Sequence, residues 1–402
     1  MTFQFLMTGV REQKMLSWAS VGFLVFLSAF LWAPSRDGLQ AVYVLSFFLP
    51  IVIILLFRKP DFHKYGGWPT VIAIAYATFS VLSTLWGKSE DFFYFVLQWF
   101  VLATWLCGSC LIFSRRDLDI EKYLRWFVVL GIFITVVTIV RYYYFVFGVA
   151  TSDKRLWGWN TFRNANEIGS MCGVIALLAF TIAVQSRSLA RTWLFYLFAF
   201  VASIGLLASF SRGALVAFIV MAAVALITVR PQLKVWLPPV LMVVVIFLML
   251  LNTPDVHIYY IRGVSEGFGG RFTIWKNVIE LCRENLFTGI GMSKNTSIVI
   301  PDFEVFNHAH NAWLDTFYRT GVVGLTLVVL HLTAVLKNFS RDPKVLPLYL
   351  WLGYGCICGL FDGRCFFWEL GAKWFLYWIP IGLITAIITG SYIRKHEYKI
   401  IK

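Results

Sequence analysis

The chain has 402 residues, 59% of them hydrophobic and only 14% charged, with a mean hydropathy of +0.74 and a formal net charge of +14. So little charge excludes an ordinary water-soluble enzyme and makes the length a count of membrane spans instead of domains. Nor does the positive charge point to nucleic acid, because the one sizeable polar stretch mixes acids with bases.

Arg11 and Lys14 precede a first apolar run, Met15 to Trp32, which is longer than a signal-peptide core and lacks a small-residue cleavage site. It reads as a retained span. The following runs are Leu39 to Phe57, Pro69 to Trp86, Phe92 to Phe113, Trp126 to Phe147, Ile168 to Gln185, Thr192 to Ser209, Gly213 to Val229 and Val235 to Leu251. After a polar interval come Ala312 to Leu336, Leu346 to Phe361 and Gly371 to Gly390. The fold class is therefore an all-α polytopic membrane protein of about twelve transmembrane helices. Residues 1–251 carry spans one to nine, 252–311 form a long outer loop, and 312–402 carry the last three spans and a tail. Cys107-Gly-Ser-Cys110 has redox-pair spacing but lies inside an apolar run, where span packing is the better reading; no disulfide is expected between Cys282 and Cys365.

Alternate breaks between runs carry the basic residues, from Arg58-Lys59 with Lys64 to Lys337 with Arg341 and Lys344. With the two ends of the chain they hold twenty of the 35 Lys and Arg, so both termini are expected in the cytoplasm. The opposite face is then notable for the cations it keeps, among them Arg155, Arg163, Arg212 and Arg271. They are either scattered solvated charges or the grip for an anionic ligand at the outer membrane surface. Arg141, in the outer half of the fifth run, is either an intramembrane cation held inside the protein or one that faces the ligand.

Within the outer loop, Arg271 to Leu286 spaces Phe272, Trp275, Val278, Ile279, Cys282 and Leu286 as one apolar helical face, which predicts an amphipathic helix lying on the bilayer or on other spans. Gly267, Gly269 and Gly270 before it would leave Arg271 at the helix start, where free N–H groups also favour an anion. Asn307-His308-Ala309-His310-Asn311 follows at the water boundary. The His spacing is poor for chelation from one helix, so no metal is expected, and a neutral His taking a proton from a hydroxyl is the simpler chemistry. Asn311, Asp315 and Arg319 form one stripe along the tenth run, with Asp315 and Arg319 expected to pair internally. Ser211-Arg212-Gly213 makes a short outer turn that pins Arg212 at the surface, where a guanidinium can grip a phosphate with two hydrogen bonds or simply reach to lipid headgroups.

His310-Asn311 followed by Gly321 and Gly324 resembles the His-containing pattern of the O-antigen ligase and O-antigen polymerase superfamily of bacterial inner-membrane proteins. Arg163-Asn164-Ala165-Asn166-Glu167, Ser211-Arg212-Gly213, Gly270-Arg271 with Trp275, and Gly289-Ile290-Gly291 match its other blocks in order, so the resemblance covers Arg163 to Gly324. It implies a GT-C-like membrane fold and an inverting glycosyl transfer on the periplasmic face, without metal or other cofactor. The implied donor is a glycan on undecaprenyl diphosphate, and for a ligase the acceptor is a sugar hydroxyl of lipid A-core. In that scheme Arg212 and Arg271 hold the leaving diphosphate, His310 takes the acceptor proton, and His308 and Asn311 orient base or sugar. Arg163, Asn166, Trp275 and Arg141 are further candidates for binding substrate.

The shared blocks do not separate ligase from polymerase or from a protein O-oligosaccharyltransferase; the short stretch after the last run favours the ligase. A lipid-linked glycan transporter is the rival from another class, against which stand the lack of an internal repeat and the off-centre loop.

Overall fold

The computed structural model describes residues 2–56, 66–87, 90–115, 119–146, 155–230, 271–294, 298, 306–337, 339 and 342–400. Among them are twelve helices: α1 (Thr2–Trp32), α2 (Arg36–Leu56, with a π turn at Val44–Phe48), α3 (Gly67–Ser83), α4 (Phe92–Arg115), α5 (Ile120–Arg141), α6 (Ala165–Gln185), α7 (Leu189–Ala208), α8 (Arg212–Val229), α9 (Arg271–Cys282), α10 (Ala312–Leu336), α11 (Leu346–Phe361) and α12 (Ile379–Ile400, entered through a π turn at Trp374–Trp378). The described residues hold no strand, only an isolated antiparallel bridge between Ile298 and Phe306.

Seven helical stretches are long and apolar enough to cross a membrane, and Leu16–Trp32, Gly67–Ser83, Leu346–Phe361 and Trp374–Gly390 are shorter apolar ones. Each falls on an apolar run read from the sequence, which makes this a multi-pass membrane protein. The run Val235 to Leu251 and the glycines before Arg271 lie outside the described residues.

Helix α6 forms the centre. It is apolar on every side, and Ile168 to Val184 are buried almost without interruption, as a helix without a polar face requires. Small residues let its neighbours approach: Gly173 lies against the Tyr354 hydroxyl of α11, and Gly205 of α7 lies against Cys172.

Helix α10 is broken at Gly321, which takes φ 61° and ψ −164°. Only glycine occupies that region without strain, and a Cβ there would also run into the Phe287 carbonyl. The opened turn leaves carbonyls without helical partners. Ile290 N–H donates to Tyr318 O at 3.0 Å and Gly291 N–H to Arg319 O at 2.9 Å, while Val322 N–H donates to Leu286 O at 2.9 Å. Gly321 and Gly289-Ile290-Gly291 are thus two halves of one joint that locks the segment after α9 into α10.

Hydrogen bonds also gather the loops at one end of the bundle. Asn160 donates to Leu31 O, Leu156 N–H to Ala208 O, Met292 N–H to the Ser83 hydroxyl, and Arg36 to Glu369. The amphipathic helix appears where expected, but its packed face differs. Ile274, Val278 and Cys282 are buried, whereas Phe272, Ile279 and Leu286 project outward. The wheel read from the sequence averaged two apolar faces, one toward Tyr318 of α10 and one pointing away from the protein.

Gly321→Ala should destabilise the protein by at least about 1–3 kcal/mol through backbone strain alone. A thermal melt in detergent checks this, and an unchanged midpoint would show that the joint does not hold the fold.

Candidate active site

The tight turn from α7 to α8 places the first cation. Phe210 takes a left-handed φ of 51°, and Ser211 N–H donates to the Ser209 hydroxyl at 3.2 Å, so the chain reverses at once and Arg212 opens α8. Gly213 lets that turn sit on Phe361, where a Cβ would come within 2.5 Å of the ring's own Cβ. The Arg212 Nη1 atom is buried and has no hydrogen-bond partner among the described residues. A buried guanidinium N–H without an acceptor is costly, and an incoming oxyanion removes that cost.

Arg212 lines a cavity of about 120 Å³ together with Arg155, Arg271, Asn166 and Asp362. Arg271 stands at the start of α9, and burial lowers its guanidinium from the ordinary value; Asp362 opposes that shift, while Arg212 and Arg155 add to it. Arginine stays protonated all the same, so the cavity keeps three cations against one carboxylate.

The histidines arrive from the other side. Asn311 caps α10, its side-chain oxygen accepting from Trp313 N–H and Leu314 N–H at 3.0 Å, and His310 before it is held at a left-handed φ of 49°. That conformation costs a non-glycine residue about 1–2 kcal/mol. Trp275 donates to Ala309 O at 3.1 Å and Ala309 N–H donates to Asp315 Oδ1 at 3.2 Å, which fixes the residue between the two histidines from both ends. The rings of His308 and His310 pack together, tilted by 41° with centroids 4.1 Å apart.

Asp362, at the C-terminal end of α11, joins the two halves. His310 Nδ1 lies 3.1 Å from Asp362 Oδ1, and His308 Nε2 lies 3.9 Å from the same oxygen, beyond hydrogen-bond distance. Asn166 donates to Oδ2 at 2.8 Å and in turn accepts from Arg155 at 2.7 Å. Lys373 donates to the Asp362 carbonyl at 2.7 Å. Burial alone would raise the Asp362 carboxyl; the imidazoles of His308 and His310 and the Lys373 ammonium outweigh it and hold the carboxyl well below its ordinary value. An ionised carboxylate only accepts, so Nδ1 of His310 donates to it, and the carboxylate leaves the ring's other nitrogen, Nε2, unengaged.

One donor atom each from His308, His310 and Asp362 fall within 4.8 Å of one another, close enough for a three-ligand metal site. The existing bonds work against one. Asp362 already accepts from His310, Asn166 and Gly363 N–H, and the His310 nitrogen facing it is protonated.

The structure therefore brings together Arg212, Arg271, Asn166, His308 and His310 and sets Trp275 and Asn311 as their supports. Arg141 and Arg163 lie elsewhere: Arg141 rests 5.8 Å from the Trp159 ring centre, and Arg163 reaches Pro34 O at 3.4 Å. Neither lines the cavity. The sequence reading missed Asp362 and Lys373, and it named Arg155 among the outer-face cations without giving it a role. Asp362 had one signal, an acid in a short outer break directly after an apolar run.

Fold and site together define a polytopic helical membrane protein with a cationic cavity beside a His–Asp pair. Residues 197–329 match the sequence model of the family described as O-Antigen ligase, a stretch that holds Arg212, Arg271 and both histidines but not Asp362. Over 378 residues, 91% of this chain and 90% of the other, the chain is 24% identical to an O-antigen ligase of Pseudomonas aeruginosa. No solved structure matches it. Both comparisons agree with the ordered motifs: the chain is similar to O-antigen ligases, through residues 197–329 in the family model and over nearly its whole length in the relative.

Because the folded Asp362 pKa is depressed, its ionised form stabilises the fold above the ordinary carboxylate value of about 3.9 and that contribution is lost as pH falls through the lower folded value. Asp362→Asn should lower the melting temperature at neutral pH and flatten its decline below about pH 4. A wild-type acid limb in that variant would contradict the assignment.

Proposed function

We propose that the protein is an O-antigen ligase that transfers a glycan from undecaprenyl diphosphate to a sugar hydroxyl of lipid A-core, with inversion and without a metal ion. The observation that carries this reading is the cavity in which Arg212, Arg271 and Arg155 converge next to the His310–Asp362 pair. The bond between the anomeric carbon and the phosphate oxygen breaks, and its electron pair leaves with the diphosphate. Arg212 and Arg271 take up that charge; the unpartnered Nη1 of Arg212 is one donor ready for it. The acceptor oxygen attacks from the opposite face of the sugar while its proton passes to Nε2 of His310, and Asp362 stabilises the resulting imidazolium, acting through His310. His308 packs on the base and Asn166 holds the carboxylate.

The charge pattern supports twelve spans with both termini in the cytoplasm of a bacterial inner membrane and the site on the periplasmic side. Of the 252–311 loop, α9 and the histidine segment bring Arg271, His308 and His310 to the site.

The test is transfer by purified protein in detergent, supplied with undecaprenyl diphosphate glycan and lipid A-core. Glycan joined to core in the presence of EDTA supports the reading. Loss of transfer with EDTA removes the metal-free step, and a lengthened glycan on the carrier with core untouched points to a polymerase. His310→Ala should lower turnover by about 10²–10⁴-fold with donor binding intact. Arg212→Lys should restore little of what Arg212→Ala loses, since an ammonium lacks the planar fork; near-wild-type turnover in Arg212→Lys would refute bidentate capture of the diphosphate.

A further inference from the structure

A second cavity, of about 220 Å³, opens on the far side of Asp362. It shares Asn166, Ser170, Cys358 and Asp362 with the cationic cavity, so the two meet at the carboxylate that holds His310. Its lining charges are different in kind. Arg36, Arg364 and Lys373 stand against Glu167, Glu369 and Asp362, three of each sign, with the amides of Asn164 and Asn166 between them. Such a balanced set has no net pull on a phosphate. It offers closely spaced donors and acceptors, which is what the hydroxyls of a neutral sugar require.

The groups are held ready. Arg36 bridges Glu167 at 2.9 Å and Glu369 at 2.7 Å, and the Tyr94 hydroxyl donates to the second Glu369 oxygen at 2.7 Å. Oε2 of Glu167 accepts from Arg163 N–H at 3.1 Å, so each of the four carboxylate oxygens takes one bond and keeps a lone pair for a ligand hydroxyl. His308 closes the cavity on the side of the base, its ring centre 4.1 Å from that of His310.

We infer that this second cavity seats the acceptor's sugar ring, with Glu167, Glu369 and Arg36 as the residues that choose it. The inference rests on the proposed glycosyl transfer and adds to it a division of labour: diphosphate on one side of Asp362, acceptor sugar on the other.

Two measurements test it. In steady-state transfer, Glu369→Gln should raise the acceptor KM at least about tenfold, the loss expected for one charged hydrogen bond, and leave the donor KM unchanged. A rise in both KM values together with a lower melting temperature would make the cluster a mere staple between loops and overturn the inference. Independently of any variant of the charged cluster, Ala372→Cys places a thiol in the cavity wall. Core oligosaccharide stripped of its acyl chains should slow its maleimide labelling, measured against the wild-type background, while undecaprenyl diphosphate should not. Protection by the diphosphate lipid alone, or by neither ligand, would overturn the inference. Absence of any transfer by the wild-type protein would instead sink the proposed function, and the labelling result would still decide whether the cavity takes a sugar.

Discussion

The ion pair between Asp315 and Arg319 is fully buried, with Arg319 Nε donating to Asp315 Oδ2 at 2.8 Å, and it sets the end of the bundle that carries the site. A buried pair gains little net stability by itself, because desolvation offsets much of the attraction. Its value here lies in the other bonds the two groups make. Arg319 also donates to Ser293 O at 2.6 Å and Asn307 O at 3.2 Å, and Asp315 also accepts from Ala309 N–H and from Cys365 N–H at 2.8 Å. One pair on α10 thus ties down the segment after α9, the histidine segment and the turn after α11. The joint at Gly321 lies one turn below and anchors the same segment again.

With those three segments fixed, Asp362 falls between the histidines and the arginines. Its two oxygens point to different partners, Oδ1 to His310 and Oδ2 to Asn166, so one carboxylate sets both the tautomer of the base and, through Asn166, the place of Arg155. Charge is unequally divided about it. The smaller cavity is cationic and the larger one balanced, an asymmetry that in the proposed reaction would let an anionic lipid and a neutral sugar be told apart at one site.

Much of this was legible in the chain. Apolar runs gave the helices because a span must be apolar for its whole length, and the cations kept on the outer face marked Arg212 and Arg271. Hydropathy, however, gives depth and not lateral position. Arg141 and Arg163 have the same depth signal as Arg212, yet they sit against Trp159 and Pro34. Asp362 was missed for a related reason: it lies 52 residues from His310, in a break too short to attract notice, and only the packing of α11 against α6 and α8 brings it to the site. The face of α9 was misjudged because a helix with apolar residues on two sides has no single wheel to read.

The central claim is that Arg212 and Arg271 receive a lipid diphosphate beside His310. An experimental structure with undecaprenyl diphosphate bound tests it most directly. The account predicts phosphate oxygens within hydrogen-bond distance of both guanidinium groups, on the cationic side of Asp362. Diphosphate held in the second cavity, or on residues away from Arg212 and Arg271, would contradict it.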